Sequence, residues 1–288
     1  MKNDPLLISF GGVVIGFYGC PVSVWEEPLI LFACQDAVPD VRIRVTETDR
    51  LPALEAAALL YTAAGFRMFG SGTKRCACYS DANRTNSPDY AALCYDTNVP
   101  KELTLYFDPQ RMVLNVQSLL SSIMLETILL QHGRGILHAS YICLRGKGIL
   151  FSAPSGTGKS TQAELWRQHR GAQIVNGDKA MMFLQNDAVA VCGLPLCGSS
   201  GICRNVSAPL QAIVVLGQGK ENHISRMSGK PAVKALLSQM YVRRREAESV
   251  IQAMALATEV AARIPVFQLS CLPDISAVEC LEQAIKEE

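Results

Sequence analysis

The chain has 288 residues, 49% apolar and 18% charged, enough for one large domain or two modest ones with a core each. A formal net charge of +1 supplies no global field for nucleic acid or for an anionic membrane, which excludes both as bulk partners and leaves recognition to local sites. Eleven cysteines, an odd number without paired C-x-x-C spacing, exclude a zinc-knuckle protein and read as reduced, mostly buried thiols of a cytoplasmic protein.

In chain order, Leu6 to Gly19 reads LLISFGGVVIGFYG before Cys20 and superficially suggests a signal segment. Asp4 offsets Lys2, four glycines interrupt the run, and fourteen residues are too few to span a bilayer as a helix, so a first β-hairpin is expected. Alternation of Val41, Ile43 and Val45 with Arg42 and Arg44, and of Leu103, Leu105 and Phe107 with Thr104 and Tyr106, predicts strands. A helix is expected over Leu54–Ala64, and Gly70–Pro88, rich in Gly, Ser, Asn and Asp, reads as a long loop or flap. Cys76 and Cys78 sit one residue apart, but a metal site would need two further ligands that the sequence does not point to.

A helix capped by Asn115 follows, apolar at Val116, Leu119, Leu120, Ile123, Met124 and Ile128 and stopped by Gly133. It forms the hinge between a β-rich domain, 1–112, and a second domain, 113–288. Strands Ile136–Leu144 and Gly148–Ala153 are joined by the three-residue turn at 145–147, which demands an antiparallel hairpin. A helix over Thr161–His169 ends at Gly171. The last third reads as a strand at Ala212–Leu216, helices at Ala232–Tyr241 and Glu246–Arg263, a strand at Val266–Cys271, and a final helix with Ser276 and Glu279 as a capping box.

The chemistry concentrates in SAPSGTGKST, residues 152–161. The phosphate-loop pattern G-x-x-x-x-G-K-[ST] is met except at its first glycine, where Ala153 stands. Ser155, Gly156, Thr157, Gly158, Lys159, Ser160 and Thr161 would cradle a nucleotide's phosphates. Small residues let backbone N–H groups converge on anionic oxygens at a helix N-terminus, Lys159 reaches the β and γ phosphates, and Ser160 ligates Mg²⁺. The alternative is a Gly/Ser turn before a surface helix. No strand offers a Walker B acid: Ile213–Leu216 runs into Gly217, and Met181–Leu184 into Gln-Asn-Asp. The best carboxylate is Asp178 in QIVNGDKAMM, nineteen residues after Lys159, as metal ligand or general base, with a plain turn aspartate as the competing reading. His138 lies on the strand before the loop strand, as a catalytic group or as a core histidine.

The ordered set HAS at 138–140, GILFSAPSGTGKST at 148–161 and VNGD at 175–178 resembles the catalytic core of bacterial HPr kinase/phosphorylase, which groups with the PEP carboxykinases. The resemblance covers roughly residues 130–215. It implies an α/β (α+β) fold in which a mixed HPr kinase-like sheet carries the phosphate loop behind the β-rich N-terminal region. It also implies ATP, or another nucleoside phosphate, and Mg²⁺ as cofactors, with Lys159, Asp178 and His138 flanking the transferred group and Ser160 and Asp178 on the metal. The family's paired acids are reduced here to Gly177 and Asp178, and its substrate-recognition segment is absent, which disfavours HPr as substrate.

Two further features stay open between function and structure. LPLCGSSGICRN at 194–205 is an active-site loop offering Arg204 to phosphate, or an exposed turn; Arg243, Arg244 and Arg245 bind ATP or an acidic peptide, or form a solvated helix end. The expected activity is phosphoryl transfer to a hydroxyl of a peptide, a protein or a small metabolite, the alternative a nucleotide-binding module without transfer. A homo-oligomer is left open.

Overall fold

The computed structural model describes residues 5–84 and 86–288; Lys2 and Asp4, invoked against a signal segment, lie outside them. The chain divides into two compact units, Met1–Leu125 and Glu126–Glu288.

The first unit carries eight strands: β1 (Leu6–Phe10), β2 (Val13–Tyr18), β3 (Val41–Glu47), β4 (Ala58–Ala63), β5 (Phe66–Ser71), β6 (Lys74–Ser80), β7 (Asp89–Asp96) and β8 (Glu102–Phe107). They form one sheet in the order β1-β2-β3-β8-β7-β6-β5-β4. The expected first hairpin forms because Gly11 and Gly12 both take positive φ, the two-residue turn whose twist suits a hairpin. In β3 the alternation holds, with Val41, Ile43 and Val45 buried and the arginines between them exposed.

Two expectations fail in this unit. The run expected as a helix over Leu54–Ala64 instead supplies β4, because Gly65, at positive φ, turns the chain back so that Ala58–Ala63 satisfies its backbone groups against β5. Ladder pairing thereby outweighs the helix propensity of its leucines and alanines. The segment read as a flap over 70–88 holds the end of β5 and all of β6, turned at Gly72, and among its described residues only 81–84 and 86–88, after Ser80, are irregular. On β6 and β7 a third thiol joins the pair: Cys94 Sγ lies 3.2 Å from Cys76, itself 3.9 Å from Cys78, with Leu51, Leu54 and Phe69 packed around them. Among the described residues no group of three or more His, Cys, Asp or Glu could hold a metal ion.

Asn115 caps α1 (Val116–Ser121) as expected, its Oδ1 accepting from Ser118 N and its own N–H donating to Ser118 Oγ. The helix does not run through to Gly133: Met124 at positive φ breaks it, and α2 (Leu125–Gln131) follows.

The second unit contains β9 (Arg134–Leu144), β10 (Lys147–Ser152), α3 (Lys159–Arg170), β11 (Gln173–Asn176), β12 (Lys179–Gln185), β13 (Ala188–Cys192), β14 (Ser207–Gln218), β15 (His223–Met227), α4 (Gly229–Gln239), α5 (Ala247–Arg263), β16 (Val266–Cys271) and α6 (Ile275–Lys286). The β9–β10 hairpin is antiparallel as expected, but its turn is shorter than the three residues expected: Lys147 already pairs with Leu144, and Arg145 and Gly146, both at positive φ, make the turn. The sheet runs β10-β9-β12-β13-β14-β16-β15, and a parallel pairing of β10 with β14 closes it on itself. Both β9 and β14 are long enough to pair with different neighbours along their two halves.

Helices cover the sheet on two sides. Leu236, Ala253, Ala257 and Val260 of α4 and α5 pack with Leu137, Tyr141 and Leu150, while Trp166 of α3 and Val278 and Leu281 of α6 pack with Phe151, Val214 and Leu269. α3 ends at Gly171 in the left-handed region, with Arg167, His169 and Arg170 in the last turn where the helix dipole favours cations. Among the described residues no helix is long and apolar enough to cross a membrane.

The cap of α6 corrects another expectation. Asp274, not Ser276, is the N-cap, its Oδ1 accepting from Ser276 N at 2.9 Å. Asp274→Ala is expected to cost about 1 kcal/mol, a fall of about 2–4 °C in thermal unfolding, whereas Ala at exposed Glu279 should leave the midpoint nearly unchanged. Equal losses at the two positions would restore the capping box.

Candidate functional site

The site lies at one end of the second unit's sheet, where β10 runs out into the glycine loop and the β11–β12 turn carries Asp178. Ala153, the departure from the motif, is fully buried among Phe151, Ala163 and Trp166, and its φ is not positive, so the missing glycine imposes no strain. Beyond it Pro154, Ser155 and Gly156 are exposed, and Gly156 (φ +79°) and Gly158 (φ +119°) take conformations that side-chain-bearing residues rarely adopt. Gly158 is the N-cap of α3, so Lys159, Ser160 and Thr161 form its first turn. Ser160 and Thr161 are exposed, whereas Lys159 is buried, its Nζ donating to Ala153 O at 2.9 Å and Pro154 O at 3.4 Å. Burial pulls the Lys159 ammonium below its ordinary pKa, against the opposing pull of the Asp178 charge.

Asp178 is set by a side chain that the sequence reading passed over. Asn176 is fully buried, and its Oδ1 accepts from both Asp178 N and Lys179 N at 2.9 Å. Its Nδ2 donates to Leu194 O and Leu196 O at 3.1 and 3.2 Å. The turn is also fastened to β9, since Ser140 Oγ donates to Gly177 O at 2.8 Å and Ala139 N to Asp178 O at 3.0 Å.

The Asp178 carboxylate is then held from two sides. Lys179 Nζ donates to Oδ2 at 2.6 Å, and His138 Nε2 lies 3.3 Å from Oδ1, because β12 and β9 pair with Lys179 opposite His138. His138 Nδ1 is 3.3 Å from Gln239 Oε1. The Tyr241 ring closes the group, 5.4 Å from Lys179 Nζ and edge-on to His138. Burial resists the charge on Asp178, but the hydrogen bond and charge of Lys179, with the charges of His138 and Lys159, overcome it and hold the carboxyl below its usual range. Burial likewise pulls Lys179 down, and its contacts with Asp178 and Tyr241 reverse this and raise it. The structure therefore brings Asp178 and His138 together, adds Lys179, Tyr241 and Gln239 to them, and sets Lys159 on the adjoining loop, bonded to the carbonyls of Ala153 and Pro154. Only Lys179 carried a signal in sequence, as the cation directly following the acid.

The segment 194–205 closes over this turn. Asn176 bridges to Cys203, a Cβ at Gly198 would lie 2.4 Å from Asp178 Cβ, and a Cβ at Gly177 would lie 2.2 Å from Ser200 Oγ. The segment thus lines the site, although Arg204 spends its Nε on Ile174 O at 3.1 Å. Cys197 and Cys203 are joined in a disulfide, which corrects the expectation that all thiols are reduced; the other nine cysteines form no disulfide among the described residues. In the arginine cluster Arg243 pairs with Glu126 at 2.9 Å and Arg244 donates to Leu237 O, which ties α2 and α4 into the second unit.

The two glycines predict unequal responses. Gly198→Ala should cost about 1–3 kcal/mol, as overpacking does, because the blocking atom belongs to an aspartate fixed by its own contacts. Gly177→Ala should cost less, since exposed Ser200 can turn aside, and Ser200→Gly should recover that loss. Thermal unfolding of the variants checks the order, and a harmless Gly198→Ala would show that the loop does not rest on Asp178.

Compared with known proteins, the chain is similar over part of its length to the HPr(Ser) kinase/phosphatase from Coxiella burnetii, with 14% identity over 53% of this chain and 93% of that chain and a TM-score of 0.29. A likeness that loose carries no argument about mechanism. No curated protein matches. The family described as SynChlorMet cassette protein ScmC matches residues 102–286, well over half of the chain and all of the site, and the chain belongs to that family.

Proposed function

We propose that the second unit is a phosphotransferase that moves a phosphoryl group from ATP, or another nucleoside phosphate donor, to a hydroxyl of a peptide or protein Ser or Thr, or of a small metabolite. One observation carries the reading. The strand that delivers the glycine loop and the turn that carries Asp178 are fastened to the same point of β9, Ser152 Oγ donating to His138 O at 3.0 Å and Ala139 N to Asp178 O at 3.0 Å, so the loop with its phosphate-seeking Lys159 and a carboxylate lie at the same end of one sheet.

The form of the loop supports it. A Cβ at Gly156 or Gly158 would meet nothing within 4 Å among the described residues, so open space adjoins the N-terminus of the twelve-residue helix α3, whose dipole favours an anion. The donor set suits Mg²⁺, which takes one or two protein oxygens and completes its shell with water and phosphate. Ser160 and Asp178 would hold it, and the ion would neutralise charge on the phosphates.

The chain's own groups divide the remaining work. Lys159 exchanges the Ala153 and Pro154 carbonyls for phosphate oxygens. Asp178, ionised at neutral pH, accepts the proton of the attacking hydroxyl as the loose transition state forms, a state that asks little of its base. Lys179 keeps the carboxylate charged and His138 fixes its second oxygen. Such a protein would act in the cytoplasm, where nucleotide is abundant.

A second reading, a nucleotide-binding module without transfer, draws on Gly177. The partner acid of the kinase pattern is missing, Ser200 occupies the room it would need, and Asp178 is already ion-paired with Lys179.

Lys159→Ala is expected to weaken Mg·ATP binding by about 1.5–3 kcal/mol, the worth of a charge-assisted hydrogen bond; calorimetric titration measures it, and unchanged affinity would remove the loop as the phosphate site. Asp178→Asn should retain binding yet lose phosphoryl transfer and slow ATP hydrolysis by about 100-fold or more. Equal residual turnover in the wild type and Asp178→Asn would favour the binding module.

A further inference from the structure

Three parallel strands end side by side in the second unit, since β10 pairs in parallel with β14 and β14 with β16. Ligand sites gather where parallel strands end. The end of β10 delivers the glycine loop, and the ends of β14 and β16 open an adjoining cavity of about 290 Å³ between them and the start of α3. Its walls include Thr161 and Gln162 of α3, Leu216 and Gln218 of β14, and Cys271 and Leu272 at the end of β16. Gly156, Thr157 and Gly158 line it too, so it is continuous with the loop proposed to take the phosphates.

The wall holds an unmet polar group. Gln162 is 2% exposed; its Nε2 donates to Cys271 Sγ at 3.4 Å, while its Oε1 is buried with no hydrogen-bond partner among the described residues. Buried amide oxygens are as a rule paired, because desolvation without a partner is costly. The terminal torsion of a glutamine side chain is broad, so a small turn of the amide presents Oε1 to a ligand's N–H. The opposite wall is preset, since Leu272 N donates to Asn222 Oδ1 at 2.9 Å and Asn222 Nδ2 donates to Ser276 Oγ.

We propose that this cavity is the base subsite of the donor, taking a flat amino-bearing purine between the apolar wall of Leu216 and Leu272 and α3, with Gln162 Oε1 accepting from the exocyclic amine. The inference rests on the reading that the loop binds a nucleotide, and it adds which part of the nucleotide lies where. The volume of about 290 Å³ falls just below the range of about 300–1,000 Å³ for cavities that take a whole small ligand, which suits one heterocycle with its phosphates outside on the loop. Gln218, whose Nε2 lies 3.5 Å from Gly156 O, spans the boundary between the two parts.

The test is calorimetric titration of the full chain with Mg·ATP and with magnesium tripolyphosphate, which has the phosphates and no base. Gln162→Leu should weaken ATP about five- to tenfold, the worth of one neutral hydrogen bond, and leave tripolyphosphate unchanged. Leu272→Trp, which fills the cavity from a half-exposed wall and spares the buried amide, should do the same and covers the case in which Gln162→Leu fails to fold. Wild-type protein binding both ligands while neither variant separates them would overturn the subsite and leave the loop reading standing. Wild-type protein binding neither would overturn the nucleotide reading and the subsite with it.

Discussion

The candidate site depends on one buried amide. Asn176 has no contact with solvent, and its two polar atoms hold four backbone groups, two on the turn that carries Asp178 and two on the segment that covers it. A buried amide satisfied on every side is favourable, and the same amide deprived of its partners is costly. The turn and the covering segment are therefore fixed together: if either moved, Asn176 would lose half of its bonds. Asp178 inherits its position from this arrangement, and its charge state from Lys179, His138 and Lys159 around it.

The sheet places this turn near the glycine loop. β9 is long enough to pair with β12 through its first half and with β10 through its second, so the strand leading into the loop and the strand leading out of the Asp178 turn share one neighbour. His138 stands where β9 passes from one partner to the other, opposite Lys179, and Ser152 Oγ at the end of β10 donates to the His138 carbonyl at 3.0 Å. Closure of the sheet through β10 and β14 then brings the ends of β14 and β16 to the far side of the loop. The result is a row of loops along one sheet end, with the carboxylate at one extreme and the apolar cavity at the other.

Much of the second unit was legible because its signals were local. The short turn after Leu144 could only make a hairpin, Gly171 ends α3, and the strand expected over Val266–Cys271 is β16 to the residue. What stayed hidden was set by distant partners. Leu54–Ala64 has helical propensity, yet its Ala58–Ala63 portion became a strand because β5 was there to pair with it. Asn176 reads as one more turn residue until the carbonyls of Leu194 and Leu196 arrive, eighteen and twenty residues downstream. Tyr241 and Gln239 carried no signal, since only folding brings the end of α4 to His138. Ala153 shows the converse: a departure from the motif in sequence, it proves to be a core contact of Trp166 and Phe151.

The central claim is that the glycine loop, Lys159 and Asp178 form one phosphate-handling site, and a crystal structure with Mg²⁺ and a non-hydrolysable ATP analogue addresses it most directly. The account predicts the phosphates against Gly156 and Gly158, Lys159 Nζ moved from the carbonyls of Ala153 and Pro154 onto phosphate oxygens, and the terminal phosphate facing Asp178. A nucleotide bound elsewhere, with Lys159 still on those two carbonyls, would contradict it.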